Sequence, residues 1–240
     1  MHSQLLKDHG LVNLIGGMTY NFRLSTTNEL FKRDINRLLT QAEVEPKELY
    51  TATQVHGTKM AHCDGASGKP FVVGRHFEDT DGLLTNRVDI ALLIKFADCT
   101  PIILLDPVKK VQASIHSGWR GTANRISCIA ITKMIREFGS KKEDILAYVG
   151  PSIDQQNYEV GPEVYAAFSK QLDRELYFEQ VGEKYLLDLS LANYQALINM
   201  GIPVHNIEVA TTSTYTSPQL HSARKEGKSY GLNAIVTAIL

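Results

Sequence analysis

Apolar and polar residues alternate along the chain with two periods, one typical of helices and one typical of strands. Residues 28–42 carry apolar side chains at helical spacing, which predicts an amphipathic helix. Residues 88–96 place an apolar side chain at every second position, which predicts a strand. The apolar run 101–107 and the segment 110–117 predict two further strands directly after it. We therefore expect a sheet at the centre of the chain.

Helices and strands continue to alternate in the second half of the chain. A helix is predicted over about residues 123–138, with Gly139 just after its last turn. Pro162 suits the first turn of another helix, and Asp188 suits the N-cap of a helix that ends at Gly201. The remaining predicted strands cover residues 145–150, 207–214 and 233–240.

The interleaving of strands and helices predicts an α/β fold, a layered sandwich in which a mixed β-sheet is flanked by helices. No repeat, low-complexity tract or linker divides the chain, so we expect a single domain over residues 1–240. Residues 64–81 are rich in glycine and charged side chains and predict a long loop, a kind of segment that is often functional.

Composition argues against several classes of partner. The net charge of −1 shows no basic excess, so we expect neither nucleic acid nor a membrane as a partner. No apolar run approaches the ~20 residues of a membrane-spanning helix, and the N-terminal MHSQLLKDHG does not resemble a secretory signal. The odd count of 3 cysteines predicts free thiols in a reducing compartment, and we expect a cytoplasmic protein.

Four short segments combine reactive or polar side chains with glycine or proline: 54–57, 97–101, 116–122 and 150–153. Three of them come at the ends of predicted strands, and ligands of α/β sheets bind in crevices at strand ends. A polar side chain buried there without a partner costs several kcal/mol, which favours a functional reason for its presence.

Three residues of these segments, His56, Cys99 and His116, form a ligand set that suits zinc or copper. Three protein ligands leave one tetrahedral position open, as in catalytic zinc sites. Their spacing matches no zinc finger, so the residues alone also allow two loop histidines and a buried cysteine. Cys99 with His56 or His116 as its base would equally suit a cysteine hydrolase. The nearby residues that we expect not to be ligands are His62, Cys63 and His76.

The turn at residues 116–122 offers groups for an anion. Gly118 and Gly121 let backbone N–H groups approach a ligand, the helix start favours negative charge, and Arg120 adds a guanidinium group. These features would hold a phosphate, although the spacing is not that of a P-loop. The alternative is a tight strand-to-helix turn with Trp119 packed into the core.

Two further residues carry open alternatives. Asp98, beside Cys99, would serve as a general base, as a helix cap, or as a partner of a metal-bound histidine. Tyr158 would stack on a flat base or simply pack against neighbouring side chains.

The segments together resemble the YfiH/DUF152 family of YlmD-like purine nucleoside phosphorylases, also described as polyphenol oxidases or laccase-domain proteins. The resemblance runs from about Asn21 to the C-terminus. The matching motifs are QVHG at 54–57, DGLLT at 81–85, ADC-x-P at 97–101, HSGWRGT at 116–122 and the GP-x-I…YEVG element at 150–161.

The resemblance implies that His56, Cys99 and His116 bind one zinc ion, with copper as an alternative metal. It implies phosphorolysis of adenosine, inosine and 5′-methylthioadenosine to the base and the (methylthio)ribose 1-phosphate, together with adenosine deamination. Purine nucleosides and phosphate would be the partners. The candidate catalytic residues are His56, Asp98, Cys99 and His116, and the candidate substrate-binding residues are Arg37, Gln54, Gly118, Arg120, Gly121 and Tyr158.

The chain departs from the family pattern at four places: residues 24–27, residues 211–212, residues 220–225, and Leu232 in place of an arginine. The last change removes a donor fork and bears on substrate preference, while the three metal-ligand positions are intact. With 8 histidines and no His-x-His pair, the chain does not suit a multicopper laccase. A copper-dependent phenol oxidase with a single copper, and a nucleoside-binding module without turnover, remain as alternatives.

Overall fold

The computed structural model describes residues 1–23 and 28–240, so the departure at 24–27 lies outside the described residues. The helices are α1 (Gln4–Asp8), α2 (Asn28–Gln41), α3 (Trp119–Ala123), α4 (Ile126–Phe138), α5 (Pro162–Ala167), α6 (Leu189–Asn199) and α7 (Ala223–Glu226). The strands are β1 (Leu11–Gly16), β2 (Glu48–Ala52), β3 (Met60–His62), β4 (Lys69–Pro70), β5 (Arg75–Phe77), β6 (Gly82–Thr85), β7 (Ile90–Phe96), β8 (Thr100–Asp106), β9 (Val111–Ser117), β10 (Leu146–Val149), β11 (Glu159–Val160), β12 (Phe178–Val181), β13 (Lys184–Leu187), β14 (Ile207–Val209) and β15 (Asn233–Ile239).

The strands form two six-stranded mixed sheets and one small antiparallel sheet. The first sheet has the order β1-β15-β7-β2-β5-β4, and the second has the order β14-β10-β8-β9-β6-β3. The small sheet has the order β11-β13-β12. The predicted α/β class is confirmed, and the structure adds that two large sheets are present where the sequence predicted one.

The two large sheets pack face to face and are covered by helices on their outer sides. Alternate residues of β7 face two different layers. Ile94 lies in the central core with residues of β8, whereas Leu93 packs towards α2. Helices α4 and α6 cover the outer face of the second sheet. The layers are therefore α2, first sheet, second sheet, and α4 with α6. All seven residues of β7 are buried. The strand begins at Ile90, two residues later than predicted, and Val88 ahead of it is 50% exposed.

Three local predictions differ from the structure. The helix predicted over 123–138 begins later, at Ile126, because Arg125 has a left-handed φ of 58° and separates α4 from the short helix α3. The predicted loop over 64–81 contains the short strands β4 and β5. The predicted strand 207–214 ends at Val209. In contrast, Asp188 caps α6 as predicted, since its carboxylate accepts the Leu191 N–H.

The chain crosses from the first sheet to the second three times at one edge. Strands β7, β2 and β5 are parallel neighbours in the first sheet, so their C-terminal ends lie side by side. The segments 53–59, 78–81 and 97–99 then lead into β3, β6 and β8 of the second sheet. Strand β9 runs antiparallel to β8 and ends at the same edge. Residues far apart in sequence therefore meet here.

Two further observations concern the helices and the cysteines. In the described parts of the chain, no helix has both the length and the apolar character needed to span a membrane. The three cysteines are free thiols, as predicted.

Candidate metal centre

The three predicted metal ligands meet at the edge where the chain crosses between the sheets. The candidate ligand atoms of His56, Cys99 and His116 all lie within 4.8 Å of one another. The two imidazole rings stand 4.9 Å apart between centroids, at 73° to each other. Within residues 1–23 and 28–240, this is the only cluster of three or more such donors. Two imidazoles and one thiolate at these distances fit a metal ion that keeps one coordination position free.

The three ligands differ in exposure, which gives the cluster an open side. His116 is 4% exposed and lies in β9 on the face toward the first sheet. Cys99 is partly buried, whereas His56 is exposed. A small molecule therefore reaches the cluster from the side of His56.

The environment favours the thiolate form of Cys99. Burial opposes ionisation of the thiol, but the neighbouring His116 and His56 outweigh it and lower the pKa of Cys99 to about 6. For His116, burial favours the neutral ring, but Cys99 and Asp81 raise its pKa to about 9. Cys99 is thus prepared as a thiolate, the form that binds metals and acts as a nucleophile.

Asp81 holds His116 from behind. The carboxylate is fully buried, and its Oδ1 accepts a hydrogen bond from His116 Nδ1 at 2.9 Å. Burial raises the pKa of Asp81, but the bonds from His116 and from backbone N–H groups lower it overall. An ionised Asp81 keeps the proton on Nδ1 and leaves Nε2 free for a metal, an arrangement typical of metal-bound histidines.

The same carboxylate also positions His56. Asp81 accepts the consecutive backbone N–H groups of Val55, His56 and Gly57 at 3.2, 2.9 and 2.8 Å. His56 has a left-handed φ of 61°, which bends the loop so that these groups converge. One carboxylate therefore orients two of the three ligands. Sequence reasoning quoted Asp81 within a family motif but assigned it no role.

Gln54 anchors the other end of the His56 loop. Its side-chain amide donates to the backbone oxygen of Lys95 at 2.6 Å and accepts from the Lys95 N–H at 2.9 Å. The amide thus replaces a strand partner at the end of β7. Gln54 also lines a cleft beside the metal ligands, as its predicted substrate-binding role requires. Its amide oxygen and nitrogen are, however, both bonded to the Lys95 backbone.

Gly118 allows the turn after β9 to pass close to the ligands. A Cβ at Gly118 would lie 2.7 Å from Cys99 Sγ and 2.9 Å from His56 Cδ2. A Cβ at Gly121 would meet nothing closer than 3.4 Å. The turn is held by a buried network in which Ser117 donates to Asn193 and contacts the Thr122 hydroxyl.

These distances predict different outcomes for two similar substitutions. Gly118→Ala should displace Cys99 and His56 and lower metal affinity by at least about tenfold. Gly121→Ala should retain the metal and change stability by no more than about 1 kcal/mol, because helical alanine is favourable. Metal content and melting curves of both variants check this. Equal metal loss in both, or none in Gly118→Ala, would contradict the role of Gly118.

Asp98 lies beside the ligands with its carboxylate already engaged. It accepts the Thr214 hydroxyl and the Arg224 N–H, both at 2.7 Å, and so satisfies one N–H of the first turn of α7, whose N-cap is Ser222. Its φ of 78° is left-handed, which aspartate tolerates. The predicted role of Asp98 as a general base stays a prediction.

Tyr158 and Arg120, two predicted substrate-binding residues, lie outside the ligand cluster. Tyr158 packs partly buried against the small sheet, with the Arg224 guanidinium 5.3 Å from its ring centroid. The pKa of Tyr158 is raised mainly by burial and, to a smaller extent, by the negative charge of Cys99. Arg120 is exposed and stacks on Trp119 at 4.2 Å, in a helix of only five residues. The predicted phosphate-binding turn therefore presents Arg120 to solvent.

Arg37 is not brought to the metal ligands by any contact of the described residues. It lies over the Tyr20 ring at 4.6 Å and bonds to Asp34 at 3.3 Å. His76 likewise lies elsewhere, with both ring nitrogens bonded to threonine hydroxyls. His62, Cys63 and His76 are outside the ligand cluster, as predicted.

A cleft of about 210 Å³ opens onto the ligands. The departure from the family pattern at Leu232 falls on its wall. The residues that line it are Thr53, Gln54, His56, Lys95, Phe96, Ala97, Cys99, His116, Tyr230 and Leu232.

Comparison with known proteins agrees with this site. A purine nucleoside phosphorylase of Bacteroides thetaiotaomicron is 32% identical over 209 residues, covering 85% of this chain and 77% of that protein. The adenosine deaminase RL5, from an unknown prokaryotic organism, is 31% identical and covers 82% of this chain and 76% of its own length. The crystal structure of the hypothetical protein YfiH of Bacillus licheniformis matches with a TM-score of 0.85 at 28% identity, covering 92% of this chain and 85% of that one.

The resemblance seen in the motifs is thereby confirmed. A family profile matches residues 17–239, which is most of the chain. The chain belongs to the family described as multi-copper polyphenol oxidoreductase laccases, which the YfiH-type motifs had indicated.

Proposed function

We propose that the protein is a zinc-dependent purine nucleoside phosphorylase that also deaminates adenosine. The observation that carries the proposal is the cluster of His56, Cys99 and His116, which opens onto a cleft. The names of the two relatives described above support both reactions. Adenosine, inosine and 5′-methylthioadenosine are the proposed nucleosides, with phosphate as co-substrate.

The chain's own residues prepare the centre for a metal. Cys99 supplies the thiolate, and Asp81 keeps His116 in the tautomer whose Nε2 faces the cluster. His56 is held by its own backbone bond to Asp81. A bound zinc ion would act as a Lewis acid and lower the pKa of a water molecule toward ~7. Copper would suit the same donor set, so metal analysis of the purified protein decides between the two.

The cleft offers separate surfaces for a base and for polar groups. Tyr230 and Leu232 provide apolar contact area, and the ligand cluster provides polar contacts. We assign Asp98 a positioning role, since its two bonds hold α7 and the Thr214 loop against the crossing segment 97–99.

Incubation of the metal-loaded protein with adenosine, with and without phosphate, tests the proposal. We expect adenine and ribose 1-phosphate only when phosphate is present. Inosine should form in both cases, and with phosphate part of it should be converted to hypoxanthine. Product separation by chromatography distinguishes these outcomes. A protein that forms none of these products would contradict the proposal.

The lowered pKa of Cys99 also suits a cysteine nucleophile, so the same assay includes a metal chelator. A zinc enzyme should lose both activities on chelation and regain them when zinc is returned. Activity that survives chelation but is lost on alkylation of Cys99 would favour a cysteine hydrolase instead.

A further inference from the structure

Lys95 is a buried lysine whose amine has no partner among the described residues. It is the penultimate residue of β7, is 6% exposed, and lines the same cleft as the metal ligands. Its backbone groups are bonded to Gln54. In the part of the chain that the structure describes, no hydrogen bond or ion pair of its Nζ is found.

An unpaired buried ammonium group is costly, so its presence calls for a reason. Burial lowers the pKa of Lys95 to about 8, although the negative charge of Glu78 acts to raise it. At neutral pH the amine is therefore still mainly protonated. Burying a charge without a partner destabilises a protein by several kcal/mol, and such groups cluster at functional sites.

The cleft presents Lys95 as its fixed positive charge. Among the described residues that line it, Lys95 is the only lysine or arginine, and none is acidic. Arg120, the cation that the sequence suggested for phosphate, stacks on Trp119 and does not line the cleft. A dianion that enters the cleft would thus meet Lys95 on the wall shared with the metal ligands.

We infer that Lys95 binds the phosphate co-substrate, with its Nζ donating to phosphate oxygens in the cleft. This inference rests on the proposed function. In phosphorolysis a phosphate oxygen bonds to C1′ while the C1′–N9 bond breaks, the electron pair of that bond goes to the purine, and the phosphate proton ends on the purine. Lys95 keeps its proton throughout and holds the phosphate. Deamination consumes water and releases ammonia without phosphate, so it does not need Lys95.

Lys95→Met tests this assignment by comparing the two reactions. The substitution keeps the length of the side chain and removes its charge. The KM for phosphate should rise about 10- to 100-fold, the range for losing a hydrogen bond to a charged group. Adenosine deamination should stay within about twofold of the wild type. Lys47→Met, at an exposed lysine ahead of β2, is the matched control and should change neither reaction.

Melting temperature in inorganic phosphate gives a second readout that does not depend on turnover. Phosphate should raise the melting temperature of the wild type and of Lys47→Met, but not that of Lys95→Met, because ligands stabilise only the state that binds them. Without phosphate, Lys95→Met should melt at a higher temperature than the wild type, since it no longer buries an unpaired charge. A merely structural lysine would give the opposite shift.

The outcomes separate the inference from the proposed function. A wild type that shows no phosphorolysis refutes the proposed function, while the phosphate-dependent melting still tests the anion site. An unchanged phosphate response in Lys95→Met, or an equal loss of both reactions, overturns the inference. If the methionine variant does not fold, Lys95→Gln serves in its place with the same expected loss of phosphate response.

Discussion

Replacing Cys99 with alanine should abolish both phosphorolysis and deamination of adenosine. Cys99 supplies the only thiolate of the cluster, and its pKa near 6 makes that thiolate available at neutral pH. With Cys99 gone, only the imidazoles of His56 and His116 remain as ligands. Two such ligands do not hold a divalent ion in the geometry of a catalytic zinc site. Metal content should fall from about one ion per chain to a small fraction.

Cys128→Ala is the matched control for this variant. Cys128 is a buried thiol in α4 that contacts the Ala196 oxygen and lies outside the cluster. It should retain metal and both activities, at a modest cost in stability. If Cys99→Ala kept phosphorolysis while losing its metal, the two reactions would not share one metal-dependent site. Metal analysis and both product assays on the same preparations make this comparison.

Asp81→Asn should loosen two metal ligands through one substitution. The carboxylate accepts His116 Nδ1 and three consecutive N–H groups that include that of His56. An amide has a single acceptor oxygen, so its NH₂ group would face donors and leave some of them unpaired. We expect metal affinity to fall about 10- to 100-fold, and stability to fall by about 1–3 kcal/mol for each buried donor that is left unpaired.

The control for Asp81→Asn is Asp106→Asn, which lies at the end of β8 away from the ligand cluster. Asp106 is also fully buried and accepts two backbone N–H groups at 2.9 Å, from Val108 and Lys109. It should lose stability without losing metal affinity. Calorimetric metal titration and denaturant unfolding of both variants separate the two effects. Equal metal affinities for Asp81→Asn and Asp106→Asn would show that Asp81 acts only on stability.

The two reactions make different demands on one cleft. Deamination acts at C6 of the purine, whereas phosphorolysis acts at C1′ of the ribose. The metal ligands and Lys95 lie on the wall of the same cleft but belong to different segments of it. Variants of Cys99 and Lys95 should therefore give different patterns, with loss of both reactions in the first and of phosphorolysis in the second.

Much of the candidate site was accessible from the sequence because its residues lie in short, recognisable segments. His56, Cys99 and His116 stand within two residues of a glycine or proline near strand ends, and the three do converge. The helices α2 and α6 were also predicted well, since a continuous apolar face and the cap at Asp188 are local signals. The uneven exposure of the ligands was not a local property and did not follow from spacing.

Residues whose role depends on distant partners escaped the sequence-based analysis. Asp81 accepts bonds from segments 24 to 35 positions away, and nothing in its own segment indicates this. Lys95 lies between two apolar positions of an alternating strand, a pattern that predicts a side chain on the polar face of a half-buried strand. Arg120 was predicted from its neighbours in sequence, whereas its side chain stacks on Trp119 away from the cleft.

By itself the sequence determined the class of fold, the periodic elements and the chemistry of the three ligands, because these depend on side-chain type and on short-range spacing. Only the tertiary structure decided that two sheets pack face to face, with three parallel strand ends crossing between them at one edge. That crossing brings Asp81 beneath the ligands and Lys95 into their cleft. Hydrogen bonds and unpaired charges depend on distances of a few ångströms, which arise only when segments remote in sequence are packed together.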